Sequence, residues 1–216
     1  MVADQSSRNA YTDWITGVDL IAVARTDSEA ATLITTSVDT RDHPFILGST
    51  NPNLRPLAPL LSEAEAAGKN GDALQQIEDE YMAQANIILF DDAVAAALKA
   101  ASKESLIPKY LEEAKGKCNR TARQIAKKHL GQEVFFDWDS PRTREGYYRY
   151  QGGTACAIMR GVAFAPYADL IWMESKKPDY QQAVDFAEGV HAVWPEQKLA
   201  YNLSPSFNWK GTCFEP

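Results

Sequence analysis

The sequence predicts an α/β fold in which short parallel strands alternate with helices and a helical segment is inserted between them. Three apolar segments, residues 18–24, 168–174 and 199–209, have the length and composition of strands. Helical spacing precedes the second and third of these, over 154–165 and 179–193. The order strand, helix, insertion, helix, strand, helix, strand is typical of a barrel-like α/β protein.

Composition excludes several classes of protein. The chain has 216 residues, 45% of them hydrophobic, with a formal net charge of −7. That charge argues against general nucleic-acid binding, and no apolar run approaches the roughly 20 residues of a membrane span. The three cysteines are widely spaced, which predicts neither a disulfide framework nor a zinc site and favours a reducing compartment. Because the first residues lack the order of a secretion signal, we expect a protein that is not secreted.

The first strand, residues 18–24, is continuously apolar, so we expect burial on both faces. It ends in Arg25, Thr26 and Asp27, and α/β folds place their chemistry at such strand ends. Asp27 or Ser28 can also cap a helix over residues 29–34. Both readings can hold, because capping does not use Arg25.

The middle of the chain changes character. Turn-forming residues over 37–60 predict a long excursion, in which His43 is a loop residue rather than a ligand. About five short amphipathic helices follow over 61–131, where Ser62 and Glu65 form a capping-box pattern. We therefore divide the chain into a barrel segment at 1–55, an inserted all-helical subdomain at 56–134 and a second barrel segment at 135–216.

An aromatic and charged segment follows the inserted helices. We expect Asp137 and Asp139 to pair with Arg142 and Arg144. A metal site built on the two aspartates is the less favoured alternative.

The second and third strands repeat the design of the first. Residues 168–174 are apolar and end in Glu174. On the helix between them, His191 shares a stripe with apolar residues and is predicted to be a satisfied core or interface histidine. In the third strand, alternation puts Asn202, Ser204 and Ser206 on one face. The alternative for this row is a Ser-Pro-Ser turn that closes the strand.

The polar groups at the three strand ends are expected to share one opening, because successive parallel strands align their carboxyl ends. A cation, an acid and a row of neutral donors suit a small polycarboxylate. Arg25 would bind one carboxylate in bidentate fashion, and the Asn/Ser row would bind another. Glu174 would orient a hydroxyl or help hold a metal-bound water.

Four motifs carry a resemblance to a known family. They are residues 24–31, 144–153, 167–175 and 201–209. In these motifs, and over most of the chain from about 17 to 210, the sequence resembles isocitrate lyase, and the helical insertion resembles that of the longer eukaryotic forms. The resemblance implies a TIM barrel, of which this chain would supply roughly three of the eight βα units.

The resemblance also implies an activity: the Mg²⁺-assisted retro-aldol cleavage of isocitrate to glyoxylate and succinate. It implies a homotetramer, located in glyoxysomes, peroxisomes or the cytoplasm. The residues that match the family's substrate site are Arg25, Glu174, Asn202, Leu203, Ser204, Pro205 and Ser206.

The sequence departs from the family in ways that bear on activity. The family's catalytic cysteine lies in a Lys-Lys-Cys-Gly-His loop, which these 216 residues do not contain. Cys118 falls in the helical insertion, and Cys156 is predicted to be a buried helix residue. The metal-binding acids of the family's earlier strands are missing too. We therefore expect a fragment that has negligible activity alone, with no catalytic residue and no metal ligand of its own.

Three other readings stay open. The first is 2-methylisocitrate lyase, the sister activity that makes pyruvate and succinate, with a mitochondrial location. The second is a non-catalytic subunit that docks on complete lyases through its helical insertion. The third is a chain that is not stable by itself, because an unclosed piece of barrel leaves strand edges unpaired.

Overall fold

A computed structural model describes residues 21–202 and 204. The contacts divide the chain into two compact units, one containing the described residues up to Ala31 and from Gly152 onward, the other spanning Thr32–Gln151. Residues 18–20 of the predicted first strand, and the predicted site residues Leu203, Pro205 and Ser206, lie outside the described part.

The helices and strands are numbered along the chain. They are β1 (Val23–Thr26), β2 (Leu33–Ile34), β3 (Gly48–Ser49), α1 (Leu57–Ala66), α2 (Asp72–Ala85), β4 (Ile87–Ile88), α3 (Phe90–Ala100), α4 (Ile107–Ala114), α5 (Asn119–Leu130), β5 (Tyr148–Arg149), α6 (Thr154–Phe164), β6 (Leu170–Met173), α7 (Tyr180–His191) and β7 (Lys198–Tyr201). Short 3-10 helices occupy Thr40–Phe45, Glu104–Leu106 and Ala165–Tyr167.

The first unit is built on a parallel sheet with the strand order β1-β6-β7. Arg25 is opposite Trp172 in the β1–β6 register, and Met173 is opposite Tyr201 in the β6–β7 register. Helices α6 and α7 precede β6 and β7 respectively, so each strand after the first is entered from a helix. The predicted α/β class with a parallel sheet is confirmed.

One face of this sheet carries the core of the first unit. Ile171 and Met173 are completely buried, and they form a cluster with Ala157 of α6 and with Phe186 and Val190 of α7. Because side chains alternate along a strand, Trp172 and Glu174 are directed to the opposite face. The sheet therefore separates an apolar face from a polar one.

The prediction that the first strand is buried on both faces is wrong for its described residues. Val23 is 49% exposed and the Arg25 side chain 47% exposed, while Thr26 is buried. The strand also extends to Thr26, so Arg25 lies within it. Among the described residues β1 has a single neighbouring strand, β6, and this leaves much of its polar face open to solvent.

The predicted helix over residues 29–34 is absent. The chain turns at Ser28, whose carbonyl accepts from the Ala31 N–H at 3.4 Å. Leu33 and Ile34 then form β2, which pairs antiparallel with Arg149 and Tyr148. Pairing with a strand more than 100 residues away overrode the local preference for helix.

The second unit contains the predicted run of five short helices, α1 to α5. It is mostly helical rather than all-helical, because Asn86 ends α2 in the left-handed region and Ile87–Ile88 then pair with Gly48–Ser49. The capping box is also wrong: α1 begins at Leu57, and Ser62 lies inside it, donating to the carbonyl of Ala58 at 3.0 Å.

The second unit is wider in sequence than the range of 56–134 expected for the subdomain. The pairs β2–β5 and β3–β4, together with the bridges Ile46–Tyr150 and Ser49–Asp137, join its flanking segments to the helices. Among the helices that the structure describes, none combines the length and the apolar composition needed to cross a membrane.

Of the two predicted positions for His191, core or interface, the core position is wrong. It lies exposed at the end of α7, with Nε2 2.9 Å from the carbonyl oxygen of Gln197, while Phe186 and Val190 form the buried stripe of this helix. The helical spacing that groups Val184, Ala187 and His191 selected the edge of the apolar face rather than its centre.

His191→Ala is therefore expected to change the free energy of unfolding by no more than about 0.5 kcal/mol. Val190→Ala, one residue away and fully buried, is the matched control and should cost about 2 kcal/mol. Urea unfolding followed by circular dichroism measures both. A larger loss for His191 than for Val190 would contradict the assignment.

Candidate functional site

Three of the predicted site residues meet at the carboxyl edge of the parallel sheet. Arg25 is the third residue of β1, Glu174 directly follows β6, and Asn202 directly follows β7. The Arg25 Nη2 atom lies 3.6 Å from Glu174 Oε2, and Asn202 Nδ2 donates to Glu174 Oε1 at 2.7 Å. Glu174 is thus the central group of this edge, with a cation on one side and an amide on the other.

A backbone hydrogen bond fixes the position of Glu174 at the end of β6. Its N–H donates to the carbonyl of Thr26 at 2.9 Å, which extends the β1–β6 pairing by one step. The parallel register then brings the ends of β1 and β6 level, and the pairing of Met173 with Tyr201 does the same for β7. The side chains of 25, 174 and 202 therefore emerge on one face of the sheet.

Arg25 is held by two further residues. Asp27 accepts hydrogen bonds from Nε at 3.1 Å and from Nη2 at 2.7 Å. The Trp172 ring lies beneath the guanidinium, with its centroid 4.7 Å from Cζ. The hydrogen bond to Asp27, with the nearby charge of Glu174, raises the pKa of Arg25 above its ordinary value. Arg25 is therefore a permanent cation with a fixed plane.

Asp27 and Trp172 were not identified as site residues from sequence. The sequence places Asp27 in the charged strand end that is typical of α/β active sites, or at a helix cap, but assigns it no contact with the substrate, and it indicates Trp172 only as an apolar strand residue. The available signal was the strand period of two: Trp172 shares its face with Glu174, and Asp27 shares its face with Arg25 in an extended chain. The register that puts Arg25 opposite Trp172 is a tertiary fact that local sequence does not contain.

A tight turn supports the strand end that carries Arg25 and Asp27. The hydroxyls of Thr26 and Ser28, both buried, hydrogen-bond to each other at 2.7 Å. Gly152 and Gly153 donate their N–H groups to the carbonyls of Ala31 and Ser28, at 2.9 and 3.2 Å. The Gly-Gly pair before α6 thus fastens the turn after β1.

Other predicted residues lie as follows. Ser204 is half-buried, and Cys156 is fully buried in α6 as predicted. In the second unit, Cys118 directly precedes α5, and a hydrogen bond with Thr121 lowers the pKa of its thiol. His43 lies in a 3-10 helix rather than a loop, and its Nδ1 accepts from the Asn119 N–H at 3.1 Å.

The expected pairing of two aspartates with two arginines holds only in part. Asp139 lies 3.5 Å from Arg142, but Arg144 pairs with Glu65. Asp137 instead accepts backbone N–H groups, including that of Asp139 at 2.8 Å. The Asp137 carboxylate is used by these backbone hydrogen bonds, which stabilise the turn at 137–140. Arg144 pairs with Glu65 instead of with Asp137.

Comparison with known proteins places the chain in a family. The model of the isocitrate lyase family matches residues 7–215. Isocitrate lyase of Saccharomyces cerevisiae is 54% identical over 197 residues, which cover 88% of this chain and 35% of that protein. Isocitrate lyase of Kluyveromyces lactis is 53% identical over 90% of this chain and 37% of its own length. A mitochondrial 2-methylisocitrate lyase of Hypocrea atroviridis is 40% identical over 93% of this chain and 36% of its own length.

A parallel α/β sheet with a cation, an acid and an amide at the carboxyl edge of its strands is the arrangement of an α/β enzyme. The match over nearly the whole sequence makes the identification specific: the chain belongs to the isocitrate lyase family of lyases. It spans about a third of the length of the curated relatives that it matches.

Proposed function

We propose that this chain carries the part of an isocitrate lyase that binds the carboxylates of isocitrate. The observation that carries the proposal is the meeting of Arg25, Glu174 and Asn202 at one sheet edge, where Glu174 lies 3.6 Å from Arg25 and 2.7 Å from Asn202. In this proposal β1, β6 and β7 are adjacent strands of a TIM barrel, whose chemistry lies at the carboxyl ends of its strands.

Each group has a separate task in the reaction. Arg25 binds one substrate carboxylate through its planar donors. Asn202 and Ser204, with Leu203, Pro205 and Ser206, hold the carboxylates of the succinate portion without adding charge. Glu174 orients the substrate hydroxyl, because it is already fixed by Asn202 at 2.7 Å. A base must take the proton of the substrate hydroxyl as the carbon–carbon bond breaks, which gives glyoxylate and the carbanion of succinate, and an acid must then protonate that carbanion.

The described residues do not by themselves fit a Mg²⁺ site. Mg²⁺ requires several oxygen ligands in octahedral geometry. In the part of the chain that the structure describes, no three or more His, Cys, Asp or Glu side chains are grouped so that they could hold a metal ion. The carboxylates of Asp27 and Glu174 both face Arg25, which would repel a second cation. The Mg²⁺ that the family uses would need ligands from residues beyond these.

The 216 residues alone are expected to release glyoxylate from isocitrate no faster than the buffer does. They contain no Lys-Lys-Cys-Gly-His loop, so no acid is positioned to protonate the carbanion. The measurement is glyoxylate release with Mg²⁺ and isocitrate at saturating concentrations. Mg²⁺-dependent turnover by the purified chain would refute this expectation.

The proposal itself is tested in a chimera in which this chain replaces the matching segment of the Saccharomyces cerevisiae enzyme, with which it is 54% identical. Activity near that of the parent would support the assignment, because the inserted segment would then supply a working carboxylate site. A folded tetramer that binds neither isocitrate nor succinate would contradict it.

A second candidate is 2-methylisocitrate lyase, favoured by the 40% identity to a relative of that name. Identity to relatives named isocitrate lyase is higher, at 54%. The same chimera separates the two, because cleavage of 2-methylisocitrate yields pyruvate and cleavage of isocitrate yields glyoxylate. A mitochondrial location goes with the second candidate, and glyoxysomes, peroxisomes or cytoplasm with the first. Tetramer formation belongs to either proposal.

A further inference from the structure

Arg25 lies between two carboxylates but contacts them unequally. Asp27 accepts from the edge formed by Nε and Nη2, at 3.1 and 2.7 Å. Glu174 Oε2 lies 3.6 Å from the same Nη2, close enough for an ion pair but too far for a hydrogen bond. Arg25 is therefore drawn towards Asp27, and Glu174 keeps its short contact for Asn202.

The Trp172 ring determines how Arg25 can move. A guanidinium stacked on an aromatic face can shift within its own plane at little cost, whereas tilting away from the ring loses the contact. If the hydrogen bonds to Asp27 were lost, the nearest described acid would be Glu174. A bidentate pair of Arg25 with Glu174 would then form, because planar guanidinium and carboxylate groups match in geometry.

We infer that Asp27 is a positioning residue, which holds the guanidinium of Arg25 away from Glu174 so that its outer edge stays available to a ligand carboxylate. Among the described residues, none hydrogen-bonds to Nη1, which is the corner of the guanidinium farthest from the Asp27 edge. The identity of the ligand as a substrate carboxylate rests on the proposed function. The position of Arg25 rests only on its contacts with Asp27.

A positioning role for Asp27 and a purely electrostatic role predict opposite changes in carboxylate affinity when the charge of Asp27 is removed. Asp27 is an anion beside an anion-binding arginine, so removing its charge should strengthen carboxylate binding if charge alone mattered. If Asp27 positions Arg25, removing its charge should weaken binding, because Arg25 would collapse onto Glu174. The two accounts are therefore distinguished by the direction of one measurement.

The test is Asp27→Asn in the full 216-residue chain, studied by nuclear magnetic resonance of the Arg25 Nε–H and the Asn202 side-chain amide. We expect both signals to shift, since Arg25 leaves its partner and competes with Asn202 for Glu174. The matched control is Asp39→Asn, because Asp39 also accepts hydrogen bonds from the Nε and Nη2 atoms of an arginine two residues away, Arg41, at 2.9 and 2.7 Å. The control is expected to leave the Arg25 and Asn202 signals unchanged. If Asp27→Asn also left them unchanged, the inference would be overturned.

Titration with glyoxylate, a small carboxylate probe, then measures how tightly the site binds a carboxylate. The dissociation constant is expected to rise about tenfold in Asp27→Asn, the factor for one charge-assisted hydrogen bond. Tighter binding in the variant would overturn the positioning role. If the side-chain signals shift but glyoxylate leaves the Arg25 signal of the unsubstituted chain unmoved, Asp27 still positions Arg25 and the carboxylate role under the proposed function is contradicted. Thermal unfolding should be unchanged, since both side chains are exposed.

Discussion

Arg25→Ala is expected to lower kcat/KM for isocitrate by at least about 100-fold in the chimeric lyase described above. Two charge-assisted hydrogen bonds to a substrate carboxylate are together worth about 3 kcal/mol or more. The remaining groups do not compensate, because Glu174 is an acid, which repels a carboxylate, and Asn202 is neutral and serves the other carboxylates in the proposed function. Removal of the cation would also leave Asp27 and Glu174 facing the substrate as uncompensated anions.

The measurement is steady-state kinetics with isocitrate, supported by succinate binding. Arg41→Ala is the control, since Arg41 forms a similar exposed pair with Asp39 but lies in the other compact unit. Its kcat/KM should stay within about twofold of the parent, in line with the small effect of surface pairs. An Arg25 variant with unchanged kcat/KM would show that this guanidinium does not bind the substrate.

Gly152→Ala is expected to destabilise the chain by about 3 kcal/mol. A Cβ at this position would overlap the carbonyl of Ser28 and lie 2.8 and 2.9 Å from the carbonyl oxygen and nitrogen of Ala31. All three are backbone atoms, which cannot turn aside as a side chain can. The turn after β1 would have to open, and its hydrogen bonds with Gly152 and Gly153 would be lost.

Urea unfolding of the chain measures this loss, and Gly161→Ala is the matched control. A Cβ at Gly161, inside α6, meets only side-chain atoms of Val190 and Phe186, at 3.1 to 3.3 Å. Alanine also favours helix by about 1 kcal/mol, so the net change there should stay within about 1 kcal/mol. Equal and small losses for the two variants would mean that the turn at Ser28 does not depend on a close approach of Gly152.

The elements that could be predicted from sequence are those whose apolar residues repeat with a clear helical or strand period. Helices α6 and α7 appear close to their predicted bounds, and so does the strand before Glu174. The third strand begins within one residue of its predicted start but ends at Tyr201, and most of its predicted remainder lies outside the described residues. The run of five helices was also predicted, since each carries an apolar stripe long enough to be counted. The helix expected over 29–34 failed, because Leu33–Ile34 are paired by a partner strand distant in sequence.

The candidate site divides in the same way. Arg25, Glu174 and Asn202 were identified from sequence because each polar group ends an apolar strand, and parallel strands align their ends. Asp27 and Trp172 were not identified, because their role depends on which residues face each other across the register.

The amino-acid sequence by itself determined the α/β class, the family and the polar groups at three strand ends, because hydrophobic period and specific motifs are local properties of a chain. Only the tertiary structure decided that Asp27 holds Arg25 above Trp172, that Asn202 binds Glu174, and that Gly152 fastens the turn at Ser28. Those contacts join residues up to about 150 positions apart, and such pairings are set by packing and register rather than by local preference.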